Sequence, residues 1–280
     1  MCRILAQLSA KPQTAEPHLT QAPWSLLAQS QAKQNRLQED GWGIAWYARE
    51  KPQCVRSTSA LFRQARRFSQ AARQAVSHCL IAHARAASNP RGLPKERLLR
   101  LENTQPFVQR EWIFAHNGTL HLPQEVLSKL GGKALRLQGE NDSEVLFQLF
   151  LRMAARSYGG GVYAVHQMVE SLQQIWRVRG QHYPRLHWIA TGVNFVATDG
   201  RVLLVFCYWH PKAIDLLESR SLGLGTQAFF QMSYQFQKGR LVIASEPTDQ
   251  SAWHWIPQGH LLVAKIHRGS LDYHIEKIIT

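Results

Sequence analysis

The chain has 280 residues, of which 45% are hydrophobic and 19% charged, and 33 lysines and arginines against 19 acidic residues give it a net charge of +14. This composition supports a folded core and excludes a disordered chain. The longest uninterrupted apolar run, residues 202–209, is far shorter than the ~20 residues that a membrane-spanning helix needs. The positive charge points to an anionic partner or substrate, and nucleic acid, a membrane surface or a small acid would each fit.

The pattern of metal-binding and redox residues predicts no cofactor. The four cysteines are too scattered for a disulfide framework, and neither a C-x-x-C nor an H-E-x-x-H spacing suggests a metal site. Polar residues soon after Met1 interrupt any apolar signal segment. We therefore expect a cytoplasmic protein that holds no metal.

The first half of the chain is predicted to form mainly short strands. β-type runs occupy residues 2–8, 41–47, 79–85 and 112–116. The Pro- and Gln-rich piece between residues 11 and 39 is typical of an irregular excursion between the first two of these strands.

Helical periodicity occupies the middle of the chain. Residues 142–156 and 162–178 each place apolar side chains on one side, which predicts two long helices, and the Asn141-Asp142 pair suits the N-cap of the first. An earlier amphipathic helix with a basic outer face is predicted at residues 61–76.

Strands return towards the end of the chain. Residues 187–197 and 201–209 flank Thr198-Asp199-Gly200, a strong hairpin signal, and β-type runs follow at residues 241–245 and 261–267. Strands, then helices, then strands favour an α+β fold with largely antiparallel sheets. No repeat or break in composition divides the chain, so residues 2–280 are expected to form a single domain.

The positive charge is concentrated in one stretch. Residues 61–100 contain nine basic residues and one acid, Glu96, so +8 of the +14 lies there. A solvated helix face explains such a run, and so does a surface that attracts an acidic partner protein or substrate carboxylates. A basic nucleic-acid-binding protein is the distant alternative, because no helix-turn-helix, zinc-finger or RNA-binding aromatic signature accompanies the arginines.

The second residue combines two reactive groups. If Met1 is removed, Cys2 carries both an α-amine with a reference pKa of ~7.7–8.0 and a thiol of ~8.5. The amine can accept the thiol proton near neutral pH and later return it to a leaving amine, so nucleophile and base occur together. A cysteine that begins an apolar strand can equally be a small buried hydrophobe.

Three further positions have a chemical and a structural interpretation each. Arg85 ends a β-type run and can bind a carboxylate through its planar guanidinium group, or can form a structural ion pair. The Asn117 amide and the Gly118 N–H can converge on an oxyanion, although Asn-Gly is also a common turn. Asp142, taken alone, is explained as a helix cap.

These residues lie in short motifs that together resemble one family. The motifs are Met1-Cys2-Arg3, Asp40-Gly41-Trp42-Gly43, Ala82-His83-Ala84-Arg85, Asn103-Thr104-Gln105-Pro106-Phe107, His116-Asn117-Gly118 and Asn141-Asp142-Ser143-Glu144. The combination resembles the class II glutamine amidotransferases, which are N-terminal-nucleophile hydrolases. The resemblance extends over nearly the whole chain.

The resemblance implies a four-layer αββα sandwich in which two antiparallel sheets lie between helical layers. It also implies that Cys2 is the nucleophile with its α-amine as general base, that Asn117 and Gly118 hold the oxyanion, and that Arg85 and Asp142 bind the substrate α-carboxylate and α-ammonium. The further substrate-binding positions are His83, Trp42, Gly43 and Thr104. The implied reaction cleaves the γ-amide of glutamine or a γ-glutamyl conjugate through a γ-glutamyl thioester, releasing glutamate and ammonia or an amine.

Motifs near the end, including Ala244-Ser245-Glu246-Pro247, look most like stand-alone members of the family. That group includes the γ-glutamyl amidohydrolase of the ergothioneine pathway and amidotransferases without an assigned acceptor. The alternative function is a glutaminase-like subunit that delivers ammonia to, or regulates, a separate synthase or other partner protein. Ala86-Ala87-Ser88 follow Arg85, and such small residues favour a γ-glutamyl conjugate over glutamine because they leave space beyond the γ-amide.

Overall fold

The computed structural model describes residues 2–32, 37–131, 137–156, 160–213 and 230–279. Within these ranges the chain forms two antiparallel β-sheets. In chain order the strands are β1 (Arg3–Gln13), β2 (Trp42–Ala48), β3 (Lys51–Ser57), β4 (Ser77–Ala84), β5 (Phe107–Gln109), β6 (Trp112–Asn117), β7 (Asn194–Thr198), β8 (Val202–Cys207), β9 (Ser233–Gln237), β10 (Arg240–Ala244), β11 (His254–Trp255), β12 (His260–His267) and β13 (Ser270–Lys277). The first sheet has the order β11-β9-β10-β1-β4-β2-β3, and the second has the order β13-β12-β8-β7-β6-β5.

Helices cover the outer faces of both sheets. The helices in the described residues are α1 (Leu26–Gln29), α2 (Ala65–Gln74), α3 (Lys95–Leu98), α4 (Pro123–Leu130), α5 (Asp142–Ala154) and α6 (Gly160–Arg179), and α3 contributes no residue to the buried layers. Helix α2 packs on the first sheet through Phe68, whose ring meets Trp42 edge-on at 5.2 Å. Helices α4, α5 and α6 pack on the second sheet, where Phe147 of α5 stacks on Phe114 of β6 at 5.0 Å.

A third apolar layer lies between the two sheets. It joins Ile4 and Ala6 of β1 to Ile113 and Ala115 of β6, all of which are fully or almost fully buried. The next residue along β1, Leu5, faces the opposite way and packs in the layer beneath α2. Because both faces of β1 are covered, its first half is buried residue after residue. This arrangement is the αββα sandwich of two antiparallel sheets, so the predicted fold class is confirmed.

Most of the elements predicted from the sequence are present. The β7–β8 hairpin turns at Asp199 and Gly200, and α5 begins at Asp142 with the Asn141 side chain accepting a hydrogen bond from the Ser143 N–H. Helix α2 follows a short 3₁₀ turn and buries Phe68, Ala71 and Ala72 beneath an exposed basic face, as its periodicity predicts.

Two predictions about element boundaries were wrong. Residues 187–193 were expected to be strand, but β7 begins only at Asn194, and the preceding residues make isolated bridges at Ala190 and Gly192. Residues 11–39 are less irregular than expected, because β1 continues to Gln13 and a π-helical turn, Pro17–Gln21, and α1 follow. Residues 33–36 lie outside the described part of the chain. The single domain over residues 2–280 stays a prediction.

No helix in the described residues is both long and apolar enough to cross a membrane.

Candidate active site

The antiparallel pairing of β1 and β4 brings two distant motifs to one end of the sandwich. Arg3 pairs with Ala84, so Cys2, which precedes β1, lies beside Arg85, which follows β4. The Cys2 Sγ lies 3.4 Å from both the amide nitrogen and the carbonyl oxygen of Ala86, which follows Arg85. The sheet register, rather than any local sequence feature, therefore determines what surrounds the thiol.

The environment of the Cys2 thiol contains effects of both signs. Burial raises the pKa of the thiol above its usual value, whereas the Ala86 amide and the Arg85 guanidinium lower it and the Asp142 carboxylate raises it further. Arg85 and Asp142, which carry opposite charges, therefore both affect the pKa of the Cys2 thiol. A neutral thiol is the favoured resting form, so reaction requires a base that removes its proton.

Arg85 is almost wholly enclosed by backbone. Its Nη2 donates to the Leu98 carbonyl at 3.0 Å and its Nη1 to the Asp40 carbonyl at 3.3 Å, and the residue is 1% exposed. Among the residues that the structure describes, no carboxylate forms an ion pair with it. The structural ion pair considered from the sequence is therefore not made within this part of the chain, and N–H groups of the guanidinium remain for a ligand.

Asn117 and Gly118 lie at the end of β6, on the second sheet. Asn117 is 2% exposed, and its Oδ1 has no hydrogen-bond partner among the described residues. Gly118 approaches Gly192 so closely that a Cβ at this position would lie 2.1 Å from the Gly192 carbonyl oxygen. The Asn-Gly pair is thus not the tip of a tight hairpin, because β6 pairs with β7, whose first residue is Asn194.

Asp142 is the first residue of α5 and is 3% exposed. Its Oδ2 accepts a hydrogen bond from the Leu120 N–H at 2.8 Å, which ties the start of α5 to the segment that follows Gly118. Burial raises the pKa of Asp142 to about 6, although hydrogen bonds from backbone N–H groups, including that of Leu120, and the charge of Arg85 lower it. The helix cap itself is Asn141, so the carboxylate of Asp142 is not needed for that role.

Two buried histidines lie behind these groups. His83 of β4 is fully buried, and neither of its ring nitrogens has a hydrogen-bond partner among the described residues. His116 of β6 bonds Ser143 through Nδ1 at 2.9 Å and the Gly192 carbonyl through Nε2 at 3.1 Å. Burial lowers the pKa of His83 to about 3 and that of His116 to about 4, so both stay neutral at physiological pH.

These histidines predict that the fold is sensitive to acid. Together with His18, whose pKa burial lowers to about 4, they have native pKa values below their unfolded value of ~6.5, so the unfolded chain binds more protons below pH 6.5. Asp142 acts in the opposite direction but is a single group. The free energy of unfolding is therefore expected to fall by on the order of 5 kcal/mol between pH 7 and pH 4.

Urea unfolding followed by circular dichroism at pH 7 and pH 4 measures this difference. His18 is the one of these three histidines that lies away from the candidate site. His18→Gln is expected to reduce the number of protons taken up on unfolding at low pH by about one. Equal urea midpoints at the two pH values would contradict the expectation.

The remaining predicted substrate-binding residues occupy different places. Trp42 directs its indole away from Cys2 into the layer beneath α2, where Nε1 donates to Gln64 at 3.1 Å. Gly43 lies against the Gln105-Pro106 segment, and a Cβ there would be 2.5 Å from the Gln105 carbonyl oxygen. Thr104 is fully buried and its hydroxyl bonds the Arg100 carbonyl at 3.3 Å. A substrate role for these three, and for His83, stays a prediction.

The basic stretch at residues 61–100 is partly compensated by acidic groups. Arg97 forms an ion pair with the Glu140 carboxylate, and Arg91 donates to the Glu140 carbonyl at 3.1 Å. Arg73 lies 3.2 Å from Glu16. These pairs account for part of the charge as ordinary surface contacts, and attraction of an acidic partner or substrate stays a prediction.

Sequence reasoning missed residues that hold the neighbours of Cys2 in place. Asp40 accepts a hydrogen bond from the Ala87 N–H at 2.7 Å, which fixes the backbone on which Ala86 meets the thiol. Ser245 makes two hydrogen bonds to Ile4, although the two residues are far apart in the sequence. Its Oγ accepts from the Ile4 N–H, and its own N–H donates to the Ile4 carbonyl, each at 2.9 Å. Both residues lie in motifs noticed in the sequence, but only the tertiary contacts reveal what they do.

In the described residues, no group of three or more histidine, cysteine, aspartate or glutamate side chains is arranged to hold a metal ion. The four cysteines are all free thiols.

Solved structures share this αββα sandwich of two antiparallel sheets. A class II glutamine aminotransferase domain protein from Silicibacter pomeroyi matches with a TM-score of 0.58 and 19% identity, covering 98% of both chains. Glutamine phosphoribosylpyrophosphate amidotransferase from B. subtilis matches with a TM-score of 0.60 and 16% identity, covering 98% of this chain and 49% of that one.

Sequence comparison identifies the family. The model of the class II glutamine amidotransferases matches residues 1–277, so the chain belongs to this family of enzymes. Among curated proteins, the γ-glutamyl-hercynylcysteine sulfoxide hydrolase of Mycobacterium tuberculosis is 32% identical over 124 residues. That alignment spans 43% of this chain and 50% of the relative.

Proposed function

We propose that the protein is a cysteine amidohydrolase that cleaves the γ-amide of a γ-glutamyl compound, with Cys2 as the nucleophile once Met1 has been removed. One observation carries the proposal. The Cys2 Sγ lies 3.4 Å from the backbone of Ala86, the residue after Arg85, and the charges of Arg85 and Asp142 both affect the Cys2 thiol. A thiol that is influenced by one cation and one anion suits a substrate whose head group bears an α-carboxylate and an α-ammonium.

The reaction proceeds through a thioester. The Cys2 α-amine takes the thiol proton, and the sulfur attacks the carbonyl carbon of the γ-amide to form a tetrahedral oxyanion that the Asn117 amide and the Gly118 N–H stabilise. The protonated α-amine of Cys2 then gives its proton to the leaving nitrogen as the carbon–nitrogen bond breaks. Water, deprotonated by the same amine, attacks the thioester and releases glutamate and the free thiol.

Substrate entry requires movement of the segments that cover the head-group site. Arg85, Asn117 and Asp142 are between 1% and 3% exposed, and the Leu98 carbonyl occupies one side of the Arg85 guanidinium. A substrate carboxylate that binds the remaining N–H groups of the guanidinium has to displace the chain that covers them. The Leu98 segment is therefore the part of the chain that we expect to shift on binding.

Glutamate release from a panel of γ-glutamyl compounds tests the function. The panel contains glutamine, a γ-glutamyl anilide and γ-glutamyl thiol peptides, and the matching α-glutamyl isomers serve as controls because they place the scissile amide on the wrong carbon. Release from γ-glutamyl compounds alone supports the proposal. No release by protein that has lost Met1 would refute it.

The leaving group is proposed to be larger than ammonia. The backbone of Ala86 contacts the thiol, the small residues Ala87 and Ser88 follow it, and the relative from M. tuberculosis is named as a γ-glutamyl-hercynylcysteine sulfoxide hydrolase. A higher kcat/KM for a γ-glutamyl thiol peptide than for glutamine is expected. Ala87→Leu should reduce kcat/KM for the peptide more than for glutamine, and a clear preference of the wild type for glutamine would contradict this part of the proposal.

The pH dependence of kcat/KM gives a separate test of Asp142. Two groups must lose a proton in the free enzyme, the Cys2 α-amine and Asp142, whose pKa is about 6. Below pH 6 the logarithm of kcat/KM is therefore expected to fall with a slope of two. Asp142→Asn should lower kcat/KM at pH 8 by roughly 10- to 100-fold and reduce the slope to one.

A substrate without the α-amine provides the chemical control for that measurement. With glutaric acid monoamide, which has no ammonium group for Asp142 to bind, the wild type should already show a slope of one. A slope of two that persists in Asp142→Asn with glutamine would show that another group titrates.

A glutaminase subunit that supplies ammonia to a separate synthase is the second candidate function. The charge of residues 61–100 favours an acidic partner, although Arg97 and Arg73 are already ion-paired. Glutaminase activity that rises when a partner is added would favour it. The cytoplasmic location stays a prediction.

A further inference from the structure

The start of β1 is held by a segment that lies more than 240 residues away. The Ile4 N–H donates to the Ser245 Oγ at 2.9 Å, and the Ser245 N–H donates to the Ile4 carbonyl at 2.9 Å. These contacts continue the β1–β10 ladder, whose last pair is Leu5 with Ala244. The first residues of the chain are thus fixed from its far end.

A buried ion pair extends this contact to Cys2. The Arg3 Nη2 lies 2.5 Å from the Glu246 Oε1, and both residues are 5% exposed. The same guanidinium donates from Nη1 to the Cys2 carbonyl oxygen at 3.1 Å. Arg3 therefore connects the backbone of Cys2 directly to the Glu246 carboxylate.

Glu246 is itself held in place. Its carbonyl oxygen accepts a hydrogen bond from the Gln29 Nε2 at 3.0 Å, and the same amide donates to the Trp24 carbonyl at 2.8 Å. Gln29 is the last residue of α1 and is 4% exposed. The carboxylate that orients Arg3 thus lies on a segment fixed by a buried contact with a helix.

Such an anchor matters most at a chain terminus. In the proposed mature enzyme Cys2 is the terminal residue, and terminal residues lose order unless they are tied down. Cys2 is tied on one side by the Ala86 backbone at its sulfur and on the other by Arg3 at its carbonyl oxygen. A small displacement of a reacting group is sufficient to lower a rate by orders of magnitude.

The pair also sets a local charge balance. An Arg–Glu pair is neutral as a unit, whereas a buried guanidinium that has lost its carboxylate favours deprotonated neighbours. The charged groups that face the Cys2 thiol from other elements are Arg85 at the end of β4 and Asp142 at the start of α5. Neither changes when Glu246 is replaced.

We propose that Glu246, acting through Arg3, is a positioning residue that holds Cys2 and balances the charge beside its α-amine. The inference rests on the proposed role of Cys2 as nucleophile. Glu246→Gln should lower kcat by roughly 10- to 100-fold with little change in KM. It should also shift the midpoint of the pH dependence of Cys2 alkylation by iodoacetamide, followed by intact mass, roughly one unit lower.

Three further variants separate position from charge. Glu246→Asp keeps the charge but shortens the reach, so kcat should fall while the alkylation midpoint stays. The double variant Arg3→Gln, Glu246→Gln removes both charges, so the midpoint should return towards the wild-type value while kcat stays low. Glu50→Gln, an equal change of charge at the exposed β2–β3 turn at the other end of the strands, should alter neither measurement.

The two measurements distinguish this inference from the proposed function. If Glu246→Gln matches Glu50→Gln in both kcat and midpoint, the positioning role is wrong. If the wild type releases no glutamate but the midpoint shifts, the proposed function fails and only the charge-balancing role of Glu246 stands. If Glu246→Gln does not fold, a normal kcat in a folded Glu246→Asp overturns the role, and a reduced kcat at an unchanged midpoint supports it.

Discussion

Cys2→Ala is expected to reduce glutamate release by roughly 10,000-fold or more, because the proposed reaction has no second nucleophile to form the thioester. The loss should appear in kcat, and the variant should still bind a γ-glutamyl compound because Arg85 and Asp142 are unchanged. Cys54→Ala removes an exposed thiol and is the matched control, with activity expected at the wild-type level.

The role of the α-amine is tested by the residue that precedes Cys2. Active protein is expected to have lost Met1 by intact mass, and a variant with an N-terminal extension that is not removed should be as inactive as Cys2→Ala. Turnover in the extended protein would contradict the amine as base. Turnover in Cys2→Ala would contradict the entire mechanism.

Among single substitutions, Asn117→Ala is expected to have the second largest effect, a fall in kcat of roughly 100- to 1,000-fold with KM changed only a few-fold. The reason is that the side-chain amide is proposed to act on the oxyanion, which does not exist in the bound substrate. Asn117 is buried, and its Oδ1 has no hydrogen-bond partner among the described residues. The substitution to alanine therefore removes no hydrogen bond that Oδ1 makes to these residues.

Alkylation of Cys2 supplies the control for Asn117→Ala. Reaction of the thiol with iodoacetamide forms no oxyanion, so its rate should stay near the wild-type rate if the fold and the thiol are intact. Gly118→Ala provides a contrast, because its Cβ would lie 2.1 Å from the Gly192 carbonyl oxygen and should lower the melting temperature as well as kcat. A raised KM with an unchanged kcat in Asn117→Ala would argue against the oxyanion role.

The elements that the sequence predicted are those with a strong local signal. Strand β8 is a continuous apolar run, β1 and β4 each contain a shorter apolar stretch, and the β7–β8 turn carries Asp199 and Gly200. The elements it missed carry mixed residues. Strands β3 and β13 lie at sheet edges and alternate between exposed and half-buried positions, so their composition resembles that of loops.

Trp42 shows why the faces of a central strand are difficult to assign from sequence. Alternation distinguishes two faces of a strand, but the sequence indicates which face is the interior only if the other one is polar. The first four residues of β2 are all buried, since one face contacts the other sheet and the opposite face contacts α2. The indole therefore packs beneath the helix, although its motif was expected to supply a substrate contact.

The sequence by itself determined the chemical groups: a thiol next to an α-amine at residue 2, a guanidinium at 85, an amide at 117 and a carboxylate at 142. It also determined the fold class, through the resemblance and the order of strands and helices. Only the tertiary structure decided which groups meet. The Ala86 amide reaches the thiol, and Glu246 reaches Arg3, because the register of β1 with β4 and β10 aligns residues that are far apart in the chain. Such pairings depend on closing long loops between buried strands, and no local pattern of residues encodes them.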